Sequence, residues 1–176
     1  MLDLFPDKSV ILALEIPGAG FMTEGSNIER ELKENGRLIY SNRGVSMYPL
    51  IRQGKDLVVI EPVSGRLKKF DVPLYKRSND SHVYVLHRII KVRENDYVIR
   101  GDNCLKNEYG ITDDQIVGVL TKVIRGSSTK KSREITNGDL TYKIYIRLCM
   151  INYPVRALYY VTKSAAAKIW HKIRKK

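Results

Sequence analysis

Apolar and polar residues alternate over much of the middle of the chain, and a period of two is typical of β-strands with one buried face. The clearest run covers residues 82–92. One of its faces would carry four alternate residues, namely Val83, Val85, His87 and Ile89. The next residues, 94–96, form a hairpin-turn sequence, so residues 97–100 are predicted to pair with this run.

Shorter apolar runs between turn residues predict further strands at 37–41, 57–60, 70–77 and 115–125. The third of these contains Pro73. Because proline has no N–H for a central position in a sheet, we expect an edge strand or a bulge there. Residues 37–126 are therefore predicted to form a mainly β domain.

Helical spacing is confined to the two ends of the chain. Ser26–Glu29 is a capping-box pattern, and Gly36 is placed to end a helix. These signals predict a short helix at about 26–35 within an N-terminal segment, residues 1–36.

The C-terminal segment, residues 127–176, is predicted to be a basic linker followed by an amphipathic helical tail. The polar and basic run at 127–132 has no apolar spacing. Apolar and aromatic residues then recur at helical intervals up to Pro154, where we expect a break before a second helical stretch toward Lys176.

Positive charge is concentrated in the last third of the chain. The formal net charge is +12; residues 121–176 hold 14 Lys and Arg against two acidic residues, whereas 17 basic and 17 acidic residues balance in residues 1–120. Cations interleaved with aromatic residues, Trp170 among them, are typical of a helix on an anionic membrane surface. We therefore expect such a membrane as a partner, with nucleic acid unfavoured because no RNA-binding motif is present. The alternative is a first helix packed on the domain and solvated final residues.

Cysteine positions and hydropathy argue against a metal-binding, disulfide-rich, membrane-spanning or secreted protein. Cys104 and Cys149 lack ligand-like spacing, so we predict no metal site, no disulfide framework and no cofactor. The longest apolar stretch near the N-terminus, Val10–Leu14, is far shorter than the roughly 20 residues of a spanning helix. No basic region precedes an apolar run, so we predict no secretory signal and a cytoplasmic or peripheral membrane location.

Three short segments carry the candidate chemistry: Gly44–Pro49, Leu86–Ile90 and Arg100–Asn103. In that order they provide the Ser46 hydroxyl, the His87 imidazole and the Asp102 carboxylate, the groups that acyl transfer on a peptide bond requires. Glycine two residues before Ser46 permits a sharp turn, which would leave the backbone N–H of Ser46 free to stabilise an oxyanion.

Each of these residues also has a purely structural explanation. Ser46 could cap a short turn, His87 could be a hydrogen-bonded core residue, and Asp102 could form an Asx turn. Other acidic candidates follow Asp102 along the chain: Glu108, Asp113 and Asp114. The residues alone leave these alternatives open.

Five segments in order resemble the signal peptidase and LexA-type serine peptidase superfamily: Ser46–Pro49, Gly54–Asp56, His87–Ile89, Gly101–Asn103 and Gln115–Val119. They resemble in particular the branch of archaeal and endoplasmic-reticulum signal peptidases, which uses histidine where other members use lysine. The resemblance covers residues 37–125, roughly half of the chain.

The resemblance implies a LexA/signal peptidase-like β domain that cleaves a peptide or precursor protein after small residues. Ser46 would be the nucleophile, His87 the general base and Asp102 the third catalytic group. Where relatives carry a second aspartate this chain has Glu108, which is the alternative acid. The membrane-spanning helix that usually precedes the serine in this branch is not found in residues 1–36.

Two other functions stay open on the sequence. A LexA-like regulator would cleave itself, and Ala19–Gly20 is a candidate bond, although residues 1–36 are too few for a helix-turn-helix domain. A catalytically inactive relative would act through the basic tail, on membrane or on nucleic acid.

Overall fold

The computed structural model describes residues 25–77, 83–126 and 132–173, which divide into two compact units after Asp139. In the first unit the described elements are α1 (Gly25–Asn35), β1 (Leu38–Ser41), β2 (Asp56–Glu61), β3 (Pro73–Lys76), β4 (Tyr84–Leu86), β5 (Arg88–Val92), β6 (Tyr97–Arg100), β7 (Glu108–Ile111), a 3-10 helix (Asp113–Gln115), β8 (Ile116–Arg125) and β9 (Arg133–Thr136). The second unit contains α2 (Leu140–Ile173). The first unit is mainly β, as predicted.

The strands form two antiparallel sheets. One has the order β1-β2-β8-β3-β4, with β9 also paired to β8, and the other has the order β5-β6-β7. Both sheets contribute to one buried apolar cluster: Leu67, Tyr75, Val85, Ile89, Tyr97, Ile99 and Ile111. The two sheets therefore share one hydrophobic core. The boundary between the two sheets is called the seam below.

The run predicted as one strand over residues 82–92 is two strands, so that prediction is wrong in its continuity. β4 ends at Leu86, which pairs with β3, whereas β5 begins at Arg88, which pairs with β6. His87 lies between them at the seam. Val85 and Ile89 are buried, but so is every residue from Tyr84 to Ile89, so the expected single buried face is wrong. Residue 82 lies outside the described part of the chain.

Several other predicted elements are confirmed, and two strands were missed. α1 covers the predicted helix, and β6 returns antiparallel to β5 as the hairpin prediction requires. β3 begins at Pro73 and lies between β8 and β4, so it is not an edge strand, but its register shifts beside Leu74, as expected of a bulge. β7 and β9 have no clear apolar alternation, and the sequence did not predict them.

The predicted domain boundary at residue 126 falls inside a sheet, because β9 pairs with β8 from Lys122 to Arg125. Of the predicted linker over 127–132, residues 127–131 lie outside the described residues. Downstream, α2 is one helix that contains Pro154, so the expected break there is wrong. In the described part of the chain, no helix combines the length and the apolar character needed to cross a bilayer.

Candidate active site

Ser46 lies in a tight loop between β1 and β2. Gly44 adopts φ +100°, a left-handed conformation that a side chain would disfavour, and so permits the sharp turn before the serine. The loop closes through two backbone hydrogen bonds, from Tyr48 N to the Val45 carbonyl at 3.1 Å and from Ile51 N to the Met47 carbonyl at 3.0 Å. The Met47 side chain is fully buried and anchors the loop in the core.

Charged side chains hold the residues that follow this loop. The fully buried carboxylate of Asp56 accepts hydrogen bonds from the Arg52 guanidinium at 2.7 Å and from Gly126 N at 3.1 Å. Burial acts to raise the pKa of Asp56, but these hydrogen bonds outweigh it and lower the pKa. The Arg125 guanidinium donates to the Leu50 carbonyl at 2.9 Å. The serine loop is therefore fixed against β8.

The segment after β6 docks directly on the serine loop. The backbone N–H of Asn103 donates to the Ser46 carbonyl oxygen at 2.7 Å, and the Asn103 side-chain amide donates to the Val45 carbonyl at 3.1 Å. These two bonds join Gly101–Asn103 to Gly44–Pro49, two segments that are more than 50 residues apart in the sequence.

Gly101 is the point at which these segments meet His87. A Cβ atom at Gly101 would lie 2.8 Å from the Ser46 carbonyl oxygen, 2.8 Å from Cys104 Sγ and 3.0 Å from His87 Cδ2. The Ser46 carbonyl oxygen and His87 Cδ2 are thus at most 5.8 Å apart, the sum of 2.8 Å and 3.0 Å. Only glycine allows this approach. The Cδ2 side of the ring therefore faces Gly101, the residue that also contacts the serine loop.

His87 is buried and is held from its other edge by a carboxylate. Its Nδ1 lies 2.9 Å from Glu108 Oε1, at the start of β7. The Tyr75 hydroxyl lies 3.4 Å from the same nitrogen. Arg77 donates to both oxygens of Glu108, each at 3.3 Å, so the carboxylate is itself oriented.

This environment shifts the pKa values of both His87 and Glu108. Burial acts to lower the pKa of His87, but hydrogen bonds to Cys104 and Glu108 outweigh it and raise the pKa to about 9. Burial acts in the opposite direction on the carboxyl group, yet hydrogen bonds from His87 and Arg77 lower the pKa of Glu108 to about 2. At neutral pH the pair is an imidazolium beside a carboxylate.

The prediction that Asp102 orients His87 is wrong in its geometry. Both Asp102 oxygens accept hydrogen bonds from Arg88, at 2.7 Å each, and the two side chains are almost completely buried. Arg88 also donates to the Phe70 carbonyl at 2.9 Å. Asp102 therefore fixes the loop after β6, whereas Glu108, the alternative acid, contacts the imidazole.

The Ser46 hydroxyl has no partner in the described part of the chain. Its Oγ is shielded from solvent and makes no hydrogen bond there. Nor does its backbone N–H donate a hydrogen bond to any described residue. Buried polar groups are normally paired, so an unpaired hydroxyl and N–H in one loop are typical of a site that meets a ligand.

The sequence reasoning missed two contacts of His87. The free thiol of Cys104 is partly buried and lies near enough to the imidazole to help raise the pKa of His87. The Tyr75 phenol is fully buried, and burial is the main cause that raises its pKa. Cys104 directly follows the Gly-Asp-Asn segment, and that position was the available signal. Asp113, another acidic candidate, pairs with Arg66 at 2.9 Å.

Among the described residues, no group of three or more His, Cys, Asp or Glu side chains could hold a metal ion. Comparison of the chain with family models, with curated proteins and with solved structures finds no match in any of the three. The site is therefore interpreted from its own geometry.

Proposed function

We propose that this protein is a serine endopeptidase with a LexA/signal peptidase-like β domain, in which Ser46 forms an acyl-enzyme. The observation that carries the proposal is the meeting of the Ser46 loop and the His87 ring at Gly101, with Glu108 on the far edge of the ring. A nucleophile, a base and a group that orients the base are the parts that acyl transfer needs.

In the proposed mechanism each group has its own step. Ser46 Oγ attacks the carbonyl carbon of the scissile bond while His87 Nε2 takes the hydroxyl proton. The backbone N–H of Ser46 donates a hydrogen bond to the tetrahedral oxyanion, and His87 then gives its proton to the leaving amine. A water molecule, activated by the same nitrogen, hydrolyses the acyl ester. Glu108 holds the tautomer that leaves Nε2 free to accept the proton.

The proposal has an extended substrate bind beside β4. β4 is the last strand in the order of its sheet and ends one residue before His87. A peptide paired with β4, which has one strand neighbour among the described residues, would run past the imidazole, and backbone pairing of this kind is independent of most side chains. The resemblance to signal peptidases adds a preference for small residues before the cleaved bond.

A serine-reactive fluorophosphonate probe tests the nucleophile. We expect the probe to label the wild-type chain at Ser46, as located by peptide mass mapping, and Ser46→Ala to abolish labelling without loss of folding. His87→Ala should slow labelling on the order of 100-fold. Cleavage of fluorogenic peptides with alanine before the scissile bond should follow the same pattern.

Cys104 is the competing nucleophile, since its thiol lies beside the same point of Gly101 as the His87 ring. Cys104→Ala should retain labelling and cleavage, with Cys149→Ala as the matched control. If Cys104→Ala removes cleavage while Ser46→Ala retains it, the enzyme is a cysteine peptidase and the assignment of Ser46 is wrong. Labelling of folded Ser46→Ala at the wild-type rate would contradict the mechanism as a whole.

A further inference from the structure

An apolar stripe runs along the exposed side of α2. Six large apolar residues, each between 48% and 71% exposed, recur at intervals of three and four: Leu140, Ile144, Leu148, Ile151, Val155 and Leu158. At 100° per residue they fall within an arc of about 80° on the helix surface. A continuous exposed stripe of this length is unusual on a protein surface and indicates an interaction site.

Basic residues border the apolar stripe. Lys143 and Arg147 are exposed and lie beside the stripe on one flank. From residue 140 to the end of the chain there are nine Lys and Arg and no Asp or Glu. An apolar stripe edged by cations matches a surface that is apolar inside and anionic outside, which describes the interface of a bilayer with acidic headgroups.

The same features argue against a second copy of the chain. The stripe from Leu140 to Leu158 spans fewer than three heptads, less than a stable coiled coil requires. Pairing two helices of this composition would bring their positive charges together without any acidic residue in the helix to offset them. Anionic lipid has the opposite sign of charge and accepts a short stripe.

We propose that α2 binds in the plane of an anionic phospholipid surface, with its apolar stripe in the acyl boundary and its flanking cations at the headgroups. No helix in the described residues is suited to crossing a bilayer, so the proposed contact is interfacial. The proposal rests on α2 alone and is independent of the proposed peptidase activity. Ser46→Ala should remove that activity and leave membrane binding by α2 unchanged.

The test uses the full chain and unilamellar vesicles of phosphatidylcholine with or without an equal amount of phosphatidylglycerol. Trp170, the one tryptophan, lies in α2 and reports binding by a blue shift of its fluorescence. We expect a shift and cosedimentation with anionic vesicles only, reversed by high salt. Lys143→Gln with Arg147→Gln should weaken partitioning about 30-fold. Leu148→Gln with Ile151→Gln should weaken it about tenfold or more.

A matched control removes the same charge elsewhere. Lys33→Gln with Arg37→Gln alters two exposed cations in and just after α1 and should leave partitioning unchanged. Equal binding to neutral vesicles, or no loss in either α2 variant, would overturn the proposal. A second result would also overturn the proposal: vesicles bind no protein, and sedimentation equilibrium shows a dimer that dissociates in the Leu148→Gln and Ile151→Gln double variant.

Discussion

The protonation of His87 sets the conditions under which the proposed chemistry can run. Its pKa is raised to about 9, so at neutral pH most molecules hold an imidazolium, which cannot accept the serine proton. We expect the rate of Ser46 labelling to rise from neutral to alkaline pH with a midpoint near 9. The measurement is the pseudo-first-order rate of fluorophosphonate labelling against pH. A midpoint at the ordinary histidine value of 6.5 would contradict the His87–Glu108 pairing.

Glu108→Gln separates orientation of the ring from its charge. The amide keeps the size of the side chain but removes the anion that raises the pKa of His87, so the midpoint of the labelling profile should move below about 9. Because an amide can also favour the wrong tautomer, the plateau rate should fall on the order of 100-fold. Asp113→Asn, at a carboxylate paired with Arg66, is the control and should change neither quantity. An unchanged profile in Glu108→Gln would remove Glu108 from the site.

The sequence predicted which loops form the candidate site better than it predicted which side chains contact each other there. The turn chemistry around Gly44 and the segment Gly101–Asn103 marked both loops correctly from the sequence. The sequence could not show that Arg88, one residue after His87, would take both oxygens of Asp102. Both carboxylates follow the same strand, and only the folded register places Glu108 rather than Asp102 at the imidazole.

The Arg88–Asp102 pair acts at the scale of elements, because it joins the start of β5 to the loop after β6. Removing one partner of a buried pair leaves an uncompensated charge, so Asp102→Ala should lower the free energy of unfolding by about 3 kcal/mol or more. Arg88→Met in the same chain should restore part of the loss. Chemical denaturation followed by circular dichroism measures both.

The control for this pair is an exposed one. Asp96→Ala breaks the ion pair with Arg93 in the hairpin turn, which is partly exposed, and should cost less than about 1 kcal/mol. If Asp102→Ala is as stable as the wild type and yet loses Ser46 labelling, Asp102 acts on the chemistry and its structural role is wrong.

At the scale of elements, a helix or strand can be predicted from the sequence where nearby residues, such as caps and turns, determine it. α1 and the β5–β6 hairpin follow from capping and turn residues, and both are confirmed. Around the change of sheet at His87 every residue from Tyr84 to Ile89 is buried, so both faces of the chain are covered there. Periodicity therefore located this β region but predicted neither the second buried face nor the sheet to which each strand belongs.

At the scale of the whole molecule, the protonation of His87 couples the proposed catalysis to folding. A pKa raised to about 9 means that the folded state binds this proton more tightly than the unfolded chain, where the value is 6.5. The resulting stability is fully present below pH 6.5 and is lost as the pH rises through about 9. The Glu108 pKa, lowered to about 2 from 4.5, gives stability above pH 4.5 that is lost as the pH falls through about 2.

We therefore expect the free energy of unfolding to decline between neutral and alkaline pH, over the same interval in which Ser46 labelling accelerates. Chemical denaturation at a series of pH values measures the decline, and His87→Ala, which has no proton to lose there, should reduce its slope. A wild-type slope no steeper than that of His87→Ala would mean that the imidazolium is not stabilised in the fold. Opposite trends in stability and rate are expected because releasing one proton frees Nε2 as a base and also weakens the ion pair with Glu108.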